Sequence, residues 1–338
     1  MHRLAGFILG LATVAMPIGA KAQSVAEFYK GKNVTIIVGY TAGGGYDIYA
    51  RALGRYMGRH LPGNPNFVIQ NLTGAGSLNA ANNIYNVAPK DGTVFGTFGR
   101  GLAIEPLIGT ARVQFDATKF TWLGSGTNEI SLCATWHTSP VKTWQDALKL
   151  GFAVGGEGAG SDPDTYAAFV RNVFGVKLKL VTGYHGTSDI ILAIERGEVD
   201  GRCGWSWSSI KSTRPRWIPE KKLNYLFHMS EVKAPELPHI PTIHDFANDR
   251  QKQILRLVTS RQIIGRPFAA PPGLPADRAE ALRRAFDATL KDPAFLAEAD
   301  KLKLEVDPVS GEDVTRLISE LYATPKDIVE EARVAIKP

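Results

Sequence analysis

Apolar residues in this chain come in short β-branched or aromatic runs, each followed by glycines and then by a stretch of helical spacing. Val34, Ile36, Ile37 and Val38 form the first run, long enough for one strand of a covered sheet. Gly43, Gly44 and Gly45 interrupt it, and Ile48, Ala50, Leu53 and Met57 then give a helix its apolar side. Asp47 stands at the start of that helix, where an acidic cap contributes about 1 kcal/mol. Phe67–Gln70 is the second run, followed by Gly74-Ala75-Gly76-Ser77 and a helix through Ala80, Ala81, Ile84 and Val87. Pro89-Lys90-Asp91-Gly92 turns the chain. A third strand over Thr93–Phe98 then ends at Gly99-Arg100-Gly101. Three βα units in series predict a doubly wound sheet with its loops on one edge.

A second cycle follows. Trp122–Gly126 and Ile130–Trp136 read as strands, and Val141–Leu150 as an amphipathic helix. Phe152–Val154 leads into the glycine-rich stretch Gly155–Asp162, with Pro163 suited to a first helical position before Tyr166, Phe169, Val170 and Val173. Lys177–Thr182 feeds the loop Gly183-Tyr184-His185-Gly186-Thr187, where Thr187 or Ser188 can cap a helix built on Ile190, Ile191 and Ile194. A short strand runs from Asp200 towards Cys203. Trp205 and Trp207 alternate beyond it, one facing a core and the other a cleft. Pro235–Pro241 is a connector, and Leu255–Phe268 reads as a long strand returning to the first lobe. Ala276–Leu290, Pro293–Leu302 and Gly311–Val334 read as outer helices. The division expected is a first lobe of residues 23–128 and 257–338 and a second of 129–256, with no sequence repeat between them.

Residues 1–22 stand apart from this pattern. Arg3, the apolar run Leu4–Gly19 and Ala20-Lys21-Ala22 make a secretory signal with cleavage before Gln23. The rest of the 338 residues is too long for one typical core and suits two lobes. The formal charge is +6, of which Arg3 and Lys21 supply two, and the basic residues are dispersed, so no nucleic-acid-binding block exists. Cys133 and Cys203 are the two cysteines, and an exported chain permits a disulfide; spacing alone leaves the pairing open. There is no CxxC, and His239 and His244 lack partners at ligand spacing, so a metal site is not expected.

The chemistry the pattern favours is anion binding. Glycine loops at the carboxyl ends of strands leave backbone N–H groups free at helix N-termini. Candidate contacts are Tyr40, Thr41, Gly43, Gly44, Gly45 and Tyr46 in the first loop, and Gly74, Ala75, Gly76 and Ser77 in the second. Gly158 and Ser161 belong to the third loop, and Tyr184, His185 and Gly186 to the fourth. Arg100 and Arg202 each follow a strand and can grip a carboxylate by paired hydrogen bonds. Their structural alternatives are pairs with Glu105 or Glu129 and with Glu198 or Asp200. Trp205 is a further candidate against core packing. An enzyme is disfavoured: Ser208-Ser209-Ile210-Lys211 fits S-x-x-K, but no S-D-N, K-T-G or G-x-S-x-G accompanies it. A nucleotide site lacks G-x-x-x-x-G-K-[ST]. A sensor presenting its solute to a membrane signalling partner uses the same clamshell and stays open as an alternative.

The set GYTAGGGYDIYAR, QNLTGAGSLNAANNIY, APKDGTVFGTFG, VTGYHGTSDIILAIERGEVDG and FAAPPGLPADRAEALRRAF resembles the solute-binding proteins of tripartite tricarboxylate transporters, the TctC or Bug type. The likeness runs in order over the whole chain after residue 22. It departs at Thr41, where proline is usual, at Tyr184-His185-Gly186 in place of YKG, and at Arg100, Arg202 and Trp205. The resemblance implies an α/β, two-lobed periplasmic binding protein of type II, each lobe a mostly parallel sheet flanked by helices. It implies a periplasmic monomer that encloses a small organic carboxylate between its lobes, gripped by the first two glycine loops and partly through ordered waters. It further implies delivery to one large and one small membrane subunit, with no cofactor and no nucleic acid.

Overall fold

The computed structural model describes residues 23–109 and 111–338; the expected signal at 1–22 lies outside them. The chain enters through α1 (Val25–Tyr29), capped by Ser24 with Glu27 reaching back to it. It then alternates β1 (Asn33–Val38), α2 (Gly45–Met57), β2 (Asn66–Asn71), α3 (Leu78–Asn86), β3 (Val94–Thr97), α4 (Glu105–Ile108) and β4 (Thr121–Ser125). The second cycle comprises β5 (Ser131–Trp136), α5 (Trp144–Lys149), β6 (Phe152–Gly155), α6 (Asp162–Phe174), β7 (Leu178–Val181) and α7 (Thr187–Glu195). It continues through β8 (Gly201–Ser206), α8 (Trp207–Thr213), β9 (Leu223–His228) and α9 (Asp249–Thr259). The chain closes with β10 (Pro267–Ala270), α10 (Ala276–Leu290), α11 (Pro293–Lys301), β11 (Val309–Ser310), α12 (Gly311–Tyr322) and α13 (Lys326–Ala335).

Two mixed sheets result, ordered β11-β4-β10-β3-β1-β2 and β7-β6-β8-β5-β9. In the first, β1 pairs in parallel with β2 and β3, and β10 lies antiparallel between β3 and β4. In the second, β6 pairs in parallel with β7 and β8, while β5 runs antiparallel between β8 and β9. Most strands of each sheet therefore share one direction, and their carboxyl ends deliver the glycine loops to a common edge. The strands are apolar on both sides, as in Val34, Ile36, Ile37 and Val38, because each sheet separates two buried clusters. Adjacent β5 and β8 also bring Cys133 to Cys203, and the two are disulfide-bonded.

Several sequence expectations change. Leu255–Phe268 is not a long strand: Ile254, Leu255, Leu257 and Val258 are the buried face of α9, which Asn248 and Gln251 cap reciprocally. Only Pro267–Ala270 is extended there. Pro325 stands at the N-cap of α13 and divides the helix expected over Gly311–Val334. The helix after Ser206 starts at Trp207, so Trp205 and Trp207 do not share a strand. The N-cap of α7 is Gly186, not Thr187 or Ser188, and that of α2 is Gly44; Asp47 instead accepts from Gly43 N–H at 2.8 Å. Ile104 and Ile108, with Ile328, Val329 and Ala332 of α13, join the core that covers one face of the second sheet.

Candidate functional site

The two loop edges face each other in contact. Gly76 N–H donates to Glu157 O at 2.8 Å, and Ser188 Oγ donates to Ala42 O at 3.2 Å. The loop after β2 is tightly wound: Ala75, Gly76 and Ser77 have φ of 49°, 61° and 72°, a left-handed run that only glycine takes freely. Ser77 Oγ stabilises it by accepting from Gly99 N–H at 2.7 Å. Opposite, Gly158 has φ 120°, and a side chain there would stand 2.9 Å from Gly76 N, so backbone meets backbone.

Between the edges lies a small cavity of about 20 Å³. Tyr40, Tyr46 and Arg100 line it from the first sheet's side; Glu157, Asp162 and Arg202 line it from the second's. Arg100 follows β3 and is 2% exposed. Its Nε donates to Asp162 Oδ2 at 2.7 Å across the cleft and its Nη2 to Ser131 Oγ at 2.7 Å. Arg202 lies in β8, with Nη2 2.9 Å from Glu157 Oε1 and Nη1 donating to Thr187 Oγ1 at 3.0 Å. Both arginines thus reach the cleft, and neither takes the partner acids considered from sequence, because Glu157 in the loop before α6 and Asp162 at the start of α6 supply nearer ones.

Burial governs the titration here. It pushes the Glu157 carboxyl up, against the opposing pull of Arg202. Burial alone would lower Arg100, but the Asp162 carboxylate, together with Tyr46, Glu129 and Tyr166, more than offsets this and its pKa is raised. Tyr40 and Tyr46 are raised by burial and keep their protons; Tyr46 Oη accepts from Arg100 N–H at 3.1 Å. Behind the cavity, Arg261 stands 3.7 Å from Asp162 Oδ1. Arg266 lies 2.8 Å from Glu129 Oε1 and donates to Ser209 Oγ at 2.8 Å on the other side.

The remaining candidates divide. Thr41 meets the Gly186 backbone across the cleft rim, where a Cβ would stand 2.5 Å from Thr41 Oγ1, and Gly43 and Gly44 approach Ser188 and Thr187. Gly45 packs against Ser209 and Arg266. Gly74 and Ala75 shape their loop without lining the cavity, and Gly76 N–H is engaged by Glu157. The third loop is filled from within: Asp164 accepts from Glu157 N–H, Gly158 N–H and Ser161 Oγ. Tyr184 is half-buried and His185 exposed, and neither lines the cavity. Trp205 is fully buried in the apolar core against Trp217, so it is a packing residue.

Glu157 and Asp162 were not singled out from sequence, although both lie in the quoted loop; two acids inside a glycine stretch otherwise suited to anions were the available signal. The S-x-x-K residues are occupied elsewhere: Ser208 Oγ donates to Glu129, and Lys211 pairs with Glu236 and Glu305. Among the described residues no group of His, Cys, Asp and Glu could hold a metal ion, and no helix is long and apolar enough to cross a membrane. A larger hollow bounded by Ile130, Val232, Arg256 and Ile263 receives none of the glycine loops.

Residues 50–334 match the family described as "Tripartite tricarboxylate transporter family receptor". The chain is 23% identical to the "UPF0065 protein in gbd 5'region" of Cupriavidus necator, over 99% of this chain and 98% of that one. The fold superposes on the periplasmic binding protein BugD with a TM-score of 0.69 at 20% identity, covering 89% of this chain and 98% of that one. It superposes equally on MatC of Rhodopseudomonas palustris with bound malate, at TM-score 0.69 and 20% identity, over 88% and 99% of the two chains.

Proposed function

The chain belongs to the receptor family of tripartite tricarboxylate transporters, and from that premise we propose that it captures a small organic carboxylate in the periplasm and delivers it to the membrane subunits of such a transporter. The observation that carries the reading is the cavity between two loop edges, where Arg100 from one sheet and Arg202 from the other converge. Donors on both sides favour the closed form when an anion joins them, so closure is coupled to capture. The role is binding without turnover: Ser208 and Lys211 are engaged by different partners, and malate lies in the similarly folded MatC. Export follows from the signal at 1–22, with mature protein beginning at Gln23; an intact mass from a periplasmic extract tests this.

A thermal-shift screen of organic acids tests the binding reading. Solute at a hundred times its dissociation constant adds about 2.7 kcal/mol of stability. One class of acid should shift the transition and be recovered chemically unchanged. Turnover of the hit refutes a pure receptor, and no shift with any acid refutes the carboxylate assignment.

A further inference from the structure

Resting on the reading of the cleft as a carboxylate site, we infer that its solute is a small zwitterion of the α-amino acid class, with one carboxylate and one cationic N–H group, and not a di- or tricarboxylate. Four ionised side chains line the cavity: Arg100, Arg202, Glu157 and Asp162, which are 2%, 5%, 4% and 8% exposed. Each guanidinium already holds one of the carboxylates, so the walls offer no surplus positive charge. Behind them, Arg261 beside Asp162 and Arg266 beside Glu129 leave one cation in excess, and Asp164 in the same loop opposes it. The balance is then even, so a solute that brings its own cation can have one carboxylate matched there. A second would be buried beside Glu157 and Asp162 with nothing to neutralise it.

The unmet hydrogen-bonding groups agree. Arg100 Nη1 and Arg202 Nε are buried donors without a hydrogen bond, and Asp162 Oδ1 is a buried acceptor without one. A carboxylate answers the first two. Asp162 needs a donor, and a cationic N–H also matches its charge, with Glu157 beside it accepting in the same way. A dicarboxylate satisfies the donors and sets like charge against the acceptors.

The test is calorimetric titration of the dialysed mature protein with matched pairs: glycine and acetate, alanine and propionate, serine and 3-hydroxypropionate, with succinate and malate as dicarboxylates. At least one amino acid should bind tenfold or more tightly than its partner lacking the amine, and more tightly than either dicarboxylate. Asp162→Asn should shrink that ratio to within about threefold, and Asp162→Glu, which keeps the charge should the amide variant fold poorly, should retain most of it. Equal or tighter binding of the simple acids or dicarboxylates by the unaltered protein overturns the inference while leaving the carboxylate reading intact; Asp162 would then be an internal occupant of the Arg100 site. No heat with any of the eight compounds removes the carboxylate reading, and this inference with it.

Discussion

The two sides of the cleft follow the same strand-loop-helix construction but bring opposite chemistry to it. The first sheet contributes Tyr40, Tyr46 and Arg100 to the cavity and no acid, whereas the second contributes Glu157 and Asp162 together with Arg202. Arg100 therefore takes its carboxylate from across the gap, while Arg202 finds Glu157 within its own half. The first pair exists only when the edges meet. The second belongs to one side alone, and that side also carries the chain's one disulfide, between β5 and β8. A stapled, self-paired half faces a half whose charge is answered only on closure.

The largest expected effect breaks this contrast at the staple. Cys133 and Cys203 are 70 residues apart, and cross-linking a loop of that length stabilises by about 4 kcal/mol on the chain-entropy account. Replacing both with alanine should lower the unfolding free energy by that order in denaturant melts under oxidising conditions. Adding reductant should bring the unaltered protein to the same midpoint. Coincident midpoints with and without reductant would remove the disulfide from the account.

Next in size are the two arginines, which should fail differently. Removing one partner of a buried pair costs about 3–5 kcal/mol, and Arg261 beside Asp162 keeps the Arg100 loss near the lower figure. Arg100→Met should spend that loss on closure and enlarge the radius of gyration in small-angle scattering. Arg202→Met should lower the melting point while leaving the scattering profile unchanged. If both variants change the scattering profile alike, the assignment of one pair to closure and the other to a single side is wrong.

The difference between the sides bears on what the sequence could reveal. Strand-glycine-helix units are local patterns, so β1, β2, β3, β6 and β7 and their loops were legible from apolar runs and glycine positions alone. Arg100 was also legible, since a residue directly after a strand falls at the sheet edge, whereas Arg202, expected to follow a strand, is the second residue of β8. Their partners were not, because pairing depends on two distant loops meeting, and Asp162 lies 62 residues from Arg100. Leu255–Phe268 misled for a different reason. A dense apolar run fits a strand or a buried helix equally, and the reciprocal cap of Asn248 and Gln251 decided for the helix. The packing of α13 on the second sheet's core left no local sign in the chain.

A smaller effect sharpens the contrast at the point of contact. Gly158 has φ 120°, and a Cβ there meets Gly76 N at 2.9 Å. Gly158→Ala should cost about 2 kcal/mol in backbone strain and hold the edges apart. Gly175→Ala is the matched control: its φ is 70° and nothing lies within 4 Å of a Cβ, so it carries strain without an opposing neighbour. Gly158→Ala should weaken solute binding and expand the scattering profile; Gly175→Ala should lower stability only. Equal binding by both would place the close approach outside the closing step.

The smallest effect compares one buried acid from each side by its pH dependence, and the two should slope in opposite directions. Asp47, at the start of α2, suffers burial, but hydrogen bonds from Arg51, Gly43 N–H and Asn71 more than offset it and hold its pKa below the usual value. The folded protein thus binds a proton there less readily than the unfolded chain. Asp47 contributes stability that is present above the unfolded pKa, roughly 3.9, and is lost as pH falls through the folded value. Glu157 is the reverse. Burial raises it despite Arg202, so the folded protein binds the proton more readily. Its contribution is complete below the unfolded pKa, roughly 4.3, and is lost as pH rises through the folded one. Glu157→Gln cannot lose it, so the variant should gain on the unaltered protein as pH rises from the unfolded pKa through the folded one, by up to about 1.4 kcal/mol per pH unit within that window. Asp47→Asn should show no such gain and should fall behind at neutral pH. Glu129, which burial also raises, is unaltered in both variants and cancels in the comparison. Denaturant melts at half-unit pH steps measure all three proteins. Parallel curves for Glu157→Gln and the unaltered protein would mean that Arg202 holds Glu157 ionised at no cost, and the second side would then be no less settled electrostatically than the first.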